Sequence, residues 1–145
     1  MAIAVKRITL WRREVENRAG ALAETLAPLA EAGADLQVVM GYRYPGDRTK
    51  AAIEVAPVSG RKATAAAQAG GLAAGGLPAL LVEGDNRPGL GHRLGRALAD
   101  AGINIDFVVA QVVGRKFSAV FGFENEADAR KAAGLIKKAG AARGR

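Results

Sequence analysis

The sequence predicts an α+β chain made of two tandem copies of one βαββα(β) unit, each an antiparallel sheet with its helices on one face. Three observations carry this. The turn Glu16-Asn17-Arg18-Ala19-Gly20 returns as Asp85-Asn86-Arg87-Pro88-Gly89, 69 positions later. The same register holds downstream, where Ala30-Glu31-Ala32-Gly33-Ala34-Asp35-Leu36 falls on Ala99-Asp100-Ala101-Gly102-Ile103-Asn104-Ile105. Around each turn the hydrophobic pattern switches from strand spacing to helix spacing and back.

The first copy opens on a strand read over Val5 to Val15, with Ile8 and Leu10 on one face. Its basic residues, Lys6, Arg7, Arg12 and Arg13, suit a solvated edge that resists aggregation. The turn leads into a helix over Ala19 to Ala32. Leu22, Leu26 and Leu29 form its apolar stripe, and Gly33 stops it. Pro28 is the awkward residue, since an interior proline costs a backbone hydrogen bond. Leu36 to Tyr44 alternates as a strand. Tyr44-Pro45-Gly46-Asp47-Arg48 has turn chemistry, and Lys50 to Ala56 returns. Ser59 precedes an alanine-rich helix to Ala69. The glycine pairs at 70–71 and 75–76 mark the boundary between copies.

The second copy starts with a strand over Leu77 to Gly84. Pro88 reads as a first helical residue, where its missing N–H is harmless. The helix runs to Ala101 with the stripe Leu90, Leu94, Leu98 and Ala101. Gly91 and Gly95 replace Leu22 and Leu26 of the first copy. They predict close helix packing or, in the sharper reading, a pocket or partner helix. Ile103 to Val113 is a strand, Gly114-Arg115-Lys116 turns it, and Phe117 to Phe123 returns. Asn125 caps a last helix that Gly140 ends. The expected division is residues 1–72, residues 77–140 and a basic tail over 141–145. Neither copy has an evident last strand. Either Leu77 to Gly84 serves both, or the missing edge comes from the other repeat or another chain.

Composition bounds the function. The chain has 145 residues, enough for a real core, with half of them hydrophobic and few aromatic. The net charge of +7 raises the case for an anionic partner. With no cysteine, disulfides and thiolate metal sites are excluded. The N-terminus lacks a signal-peptide pattern, and no uncharged apolar run reaches about 18 residues. A cytoplasmic protein with no membrane contact is expected.

The residues quoted above resemble a pair of ACT domains, the small ligand-sensing modules of amino acid metabolism. The likeness lies in Glu16-Asn17-Arg18-Ala19-Gly20-Ala21-Leu22 with Gly33-Ala34-Asp35-Leu36, and in Asp85-Asn86-Arg87-Pro88-Gly89-Leu90 with Ala101-Gly102-Ile103-Asn104-Ile105. It covers nearly the whole chain. Copy one has Ala19 where proline is commoner, and copy two has Gly91 and Gly95 where bulky apolar residues are usual. The resemblance implies two ferredoxin-like ACT-type units that bind an amino acid or similar metabolite. It implies no catalysis, no cofactor, and action through a homodimer or a partner enzyme. The implied ligand residues are Asn17, Arg18, Ala19 and Gly20, with Asn86, Arg87, Pro88, Gly89 and Leu90. The ligand would lie where this turn meets strand two of another unit. The physics agrees: a helix N-terminus favours a carboxylate, and the glycines permit close backbone approach.

RNA is the chief rival ligand, because the same layout carries RNA-recognition motifs. Arg115-Lys116-Phe117-Ser118-Ala119-Val120-Phe121 lies where such a motif places stacking aromatics. The match lacks the glycine after Arg115 and has Ala119 in place of the central aromatic. Phe117, Phe121 and Phe123 share one strand face, which reads as core. An enzyme is the weaker rival. His92 is the one histidine, it lies on a basic helix, and neither Ser59 nor Ser118 has the context of a nucleophile.

Overall fold

The computed structural model describes residues 3–141, which form two compact units. One unit comprises Thr9–Gly76. The other joins the chain from Leu77 onward to the segment that ends at Ile8. The elements, in chain order, are β1 (Ile3–Ile8), β2 (Trp11–Glu16), α1 (Ala21–Glu31), β3 (Val38–Tyr44), β4 (Asp47–Ala56) and α2 (Arg61–Ala69), then β5 (Ala73–Ala74), β6 (Ala79–Asp85), α3 (Leu90–Asp100), β7 (Phe107–Val113), β8 (Lys116–Gly122) and α4 (Glu126–Ala141).

In the unit of Thr9–Gly76 the sheet order is β3-β4-β2-β5, antiparallel throughout. In the other unit the order is β1-β6-β8-β7, also antiparallel. These are the same ferredoxin-like order with the fourth strand supplied differently. In copy one it is β5, two residues inside the glycine-rich stretch, paired as Trp11 with Ala74 and Arg12 with Ala73. In copy two it is β1, which precedes copy one in the chain. Ile3 lies opposite Gly84 and Ile8 opposite Ala79. The single strand expected over Val5 to Val15 is therefore two strands in two sheets, with Thr9 and Leu10 between them. Residues up to Ile8 belong with the second copy, which corrects the boundary placed at 1–72. β6 does not serve both copies. The missing edge of copy two comes from the segment assigned to the other repeat, and copy one supplies its own. A side-chain bond ties β1 down within this unit, where Arg7 donates to Glu126 of α4.

Each core lies between a sheet and its helices. In the copy-two unit it is built from Leu80, Val82, Leu94, Leu98, Phe121 and Ile136 with their neighbours, and Ile3 of β1 joins it. In the copy-one unit it is Leu29, Ile53, Val55, Ala67 and Leu72. Phe117, Phe121 and Phe123 are buried, as their shared face predicts.

Several local expectations change. α1 starts at Ala21, with Gly20 as its N-cap, and buries Ala21, Thr25 and Leu29. Leu22, expected in the stripe, is exposed, and Leu26 is only partly covered. The face is set by fit to the sheet: Thr25 donates its hydroxyl to the Ala21 carbonyl at 2.9 Å and accepts from Arg13 at 3.0 Å. Pro28 is accommodated in the last turn, where its carbonyl still accepts from Ala32. Pro88 lies outside its helix, because Gly89 is the cap and α3 begins at Leu90. Gly140 does not end α4. It is buried within it, at a place where an added Cβ would collide with Ile3. Of the expected tail, Ala141 is helical and residues 142–145 lie outside the described residues.

α3 buries Leu90, Leu94 and Leu98, as predicted, while Ala101, expected in the same stripe, caps the helix and is only partly buried. Gly91 and Gly95 face away, and a Cβ at either would meet nothing within 4 Å. Close helix packing over them is thus not found within the described chain. Glycine inside a helix costs about 0.8–1 kcal/mol relative to alanine. Gly95→Ala is therefore expected to raise the melting temperature of this unit by about 4–8 °C. A fall in a thermal melt would mean that something packs against this glycine.

Candidate functional site

Both repeated turns are built alike. Each crosses the end of its sheet and enters a helix through a glycine in the left-handed region, Gly20 at φ 88° and Gly89 at φ 82°. A side chain there would be strained, which is why glycine recurs. Each turn is anchored by its asparagine. Asn17 donates its backbone N–H to the Thr49 carbonyl at 2.8 Å, and Asn86 donates to the Arg115 carbonyl at 2.8 Å. Thr49 and Arg115 are therefore equivalent, as are Lys50 and Lys116 beside them.

The copies then diverge. In copy one the Asn17 side-chain amide donates a second bond, to the Arg48 carbonyl at 2.9 Å. Arg18 pairs with Glu24 at 2.6 Å and lies 3.7 Å from Glu16. Its hydrogen bond and charge hold the Glu24 carboxyl below its ordinary range. Ala19 contributes its carbonyl, which accepts from Arg18 at 3.2 Å. In copy two Lys116 pairs with Asp85, and its hydrogen bond and charge lower that carboxyl. Arg87 donates to the Gly140 carbonyl of α4 at 2.7 Å. Leu90 donates its N–H to the Arg87 carbonyl at 3.1 Å, and its side chain is buried in the core.

Two hollows flank the copy-one turn. The larger, about 640 Å³, lies at the ends of β2 and β4 and is lined by Glu14 through Arg18 and by Arg48, Thr49 and Lys50. The smaller, about 270 Å³, lies between the turn, the start of α1 and strand β3, where Gly41, Tyr42 and Arg43 line it. Ligand pockets commonly span about 300–1,000 Å³, so the larger hollow is of usable size and the smaller falls just below that range. Asn17 and Arg18 line both. The lining from β3 and β4 was not legible in the sequence, because it depends on the register that sets Glu16 opposite Lys50 and Tyr42 opposite Ala52.

The outer sheet face beside this turn carries a polar cluster. Tyr42 donates to Glu54 at 2.7 Å, and Arg12 donates to Tyr44. Burial, then the bond to Glu54, raises the Tyr42 hydroxyl above its ordinary value. This bond accounts for the buried Glu54. Among the described residues no group of His, Cys, Asp and Glu is arranged to hold a metal, and no helix is long and apolar enough to cross a membrane.

The depressed carboxylates give a sign for acid sensitivity. Glu24, Asp85 and Glu126 all lie below their ordinary values, each chiefly through the hydrogen bond from its cationic partner. What they contribute is present above the unfolded values, near pH 4, and is lost as pH falls through the lower folded values. The melting temperature is expected to be flat from about pH 5 to 7 and to fall below about pH 4. Lys116→Met should remove part of that fall.

Solved structures share this architecture. Protein BT0572 from Bacteroides thetaiotaomicron is 18% identical, with a TM-score of 0.73 over 92% of this chain and 89% of that one. The regulatory subunit of aspartate kinase from Thermus thermophilus, in a ligand-free form, is 18% identical, with a TM-score of 0.64 over 96% of this chain and 97% of that one. The fold is ACT-like, in two tandem units. Aspartate kinase from Clostridium acetobutylicum is 16% identical, with a TM-score of 0.58, and the match takes up 34% of that longer chain. No family model matches the sequence, and no curated protein matches it.

The ACT-like frame places the predicted site residues in two groups. Asn17, Arg18, Ala19 and Gly20 form one turn, of which Asn17 and Arg18 line the open hollows and Ala19 and Gly20 line neither. Asn86, Arg87, Pro88, Gly89 and Leu90 form the equivalent turn, in which Arg87 and Leu90 are spent on internal contacts. The aromatics that an RNA reader would need for stacking, Phe117 and Phe121, lie in the core.

Proposed function

We propose that this chain is a regulatory module without catalysis of its own, which binds an amino acid and passes the effect to a partner. The observation that carries this is the copy-one turn. It presents Asn17 and Arg18 to two adjoining hollows, the smaller of which is also lined by the helix N-terminus at Ala21 and by strand β3. A carboxylate is favoured at such a helix end, and the asparagine carbonyl suits an ammonium. The likeness to a kinase regulatory subunit supports the same reading.

The partner surface is read from β7. This edge strand carries no charge, and Val108, Val109, Val112 and Val113 are all about half exposed or more. Edge strands without lysine, proline or a bulge invite pairing. A second copy or a partner enzyme covers it in this reading. Val109→Lys is expected to shift the chain toward monomer in sedimentation, and an unchanged assembly would place the contact elsewhere.

The function is tested by a thermal-shift screen of the chain against the twenty amino acids. A ligand at a hundred times its dissociation constant adds about 2.7 kcal/mol. A shift for one amino acid or a related pair is the expected result. No shift for any of them overturns the amino-acid reading and leaves a pure interaction module. An RNA titration with its salt dependence then tests the rival ligand.

A further inference from the structure

We propose that copy one alone is the binding copy and that its ligand is a dicarboxylic amino acid, of the aspartate or glutamate class. This rests on the reading of the chain as an amino-acid-binding module.

The equivalence of the two turns isolates what differs between them. Lys116 in copy two is committed to Asp85. Its counterpart Lys50 faces Glu16 across the β2–β4 ladder, but Glu16 turns to Arg18, and Lys50 has no ion-pair partner among the described residues. The second strand differs in the same direction. Copy one places Tyr42 and Arg43 beside the turn, where copy two has Gln111 and Val112. Copy two has thus closed its turn with an internal ion pair and given its second strand an apolar surface. Copy one pairs Arg18 within its turn as well, but leaves Arg43, Arg48 and Lys50 without an ion-pair partner among the described residues.

The charge count then sets the class. Arg18 is neutralised by Glu24, which lies outside both linings. Arg43, Arg48 and Lys50 are the remaining cations around the two hollows, and Glu14 and Glu16 are the acids. Each hollow alone is balanced, but they share Val15, Glu16, Asn17 and Arg18, and a ligand that spans both meets a surplus of one positive charge. The ammonium of an amino acid suits Glu14 or Glu16, and its α-carboxylate takes one cation. A second carboxylate balances the rest. A lysine-like ligand would instead add a positive charge to a surplus. The cations are exposed, so their attraction is screened by salt.

The test is a calorimetric titration of the full chain with L-glutamate, L-aspartate, L-serine and L-lysine, at low salt and at about 0.15 M. It is repeated on Lys50→Gln and Lys116→Gln, each checked for its fold by circular dichroism. Glutamate or aspartate is expected to bind about tenfold tighter than serine or lysine, a difference of about 1.4 kcal/mol. Lys50→Gln is expected to lose most of that preference and Lys116→Gln to keep it. Tighter binding of serine or lysine overturns the acidic class while leaving the module reading in place. Equal loss in the two variants overturns the assignment to copy one. Binding of no amino acid in the thermal screen and here removes the module reading itself.

Discussion

Deletion of residues 1–8 is expected to unfold the copy-two unit while the copy-one unit keeps its structure. β1 is the fourth strand of a sheet to which it is not adjacent in sequence, and it buries Ile3 and Ile8. Two such side chains are worth about 1.5–3 kcal/mol each. Against a typical stability of about 5–15 kcal/mol, that loss is decisive, because it comes with a whole row of backbone pairing. It also leaves an open groove over Gly140, which lies against Ile3. The chain carries its own reporter. Trp11, the one tryptophan, lies in β2 of the copy-one unit, so its fluorescence follows that unit. Circular dichroism follows both. The expected result is a tryptophan melt close to that of the intact chain and a large loss of dichroism. Ile3→Asp should act the same way more mildly. A deletion that leaves the dichroism melt unchanged would show that β1 is dispensable to the second sheet.

Asn17→Ala is expected to abolish most ligand binding, whereas Asn86→Ala should leave it within about twofold. The Asn17 side chain ties the turn to the hairpin at Arg48, and it lines both hollows. Truncation removes a hydrogen bond worth about 0.5–1.5 kcal/mol to the fold. The larger effect is on the ligand, because the amide leaves both linings and Arg48 loses its side-chain tie to the turn, while the backbone bond to Thr49 remains. A weakening of about tenfold or more corresponds to 1.4 kcal/mol, and it is read as loss of the ligand-induced shift in melting temperature. Equal losses in the two variants would mean that both turns bind.

The repeat, the antiparallel units and most helices were legible in the sequence, because they rest on local periodicity and on a duplicated turn. Leu90, Leu94 and Leu98 were read correctly as a buried stripe for that reason. Leu22 was not. Its helix buries Ala21 and Thr25 instead, with Thr25 bonded to Arg13 of β2, a pairing that no spacing rule anticipates. The fourth strands were illegible for different reasons. β5 is two alanines between glycine pairs, too short to carry a pattern. β1 merges with β2 into one apparent strand, and only the three-dimensional pairing shows that the chain changes sheets at Thr9 and Leu10. The candidate site was half legible. Asn17 and Gly20 stand out through their repetition. Arg48 and Lys50 do not, since their place beside the turn follows from the register of β4.

The most direct measurement is an amide correlation spectrum of the isotopically labelled chain, recorded as glutamate is added. Shifts are expected to concentrate at residues 14–20, 41–43 and 48–50, with residues 83–90 and 114–116 unmoved. Shifts centred on the copy-two turn, or no shifts with any amino acid, would contradict this expectation.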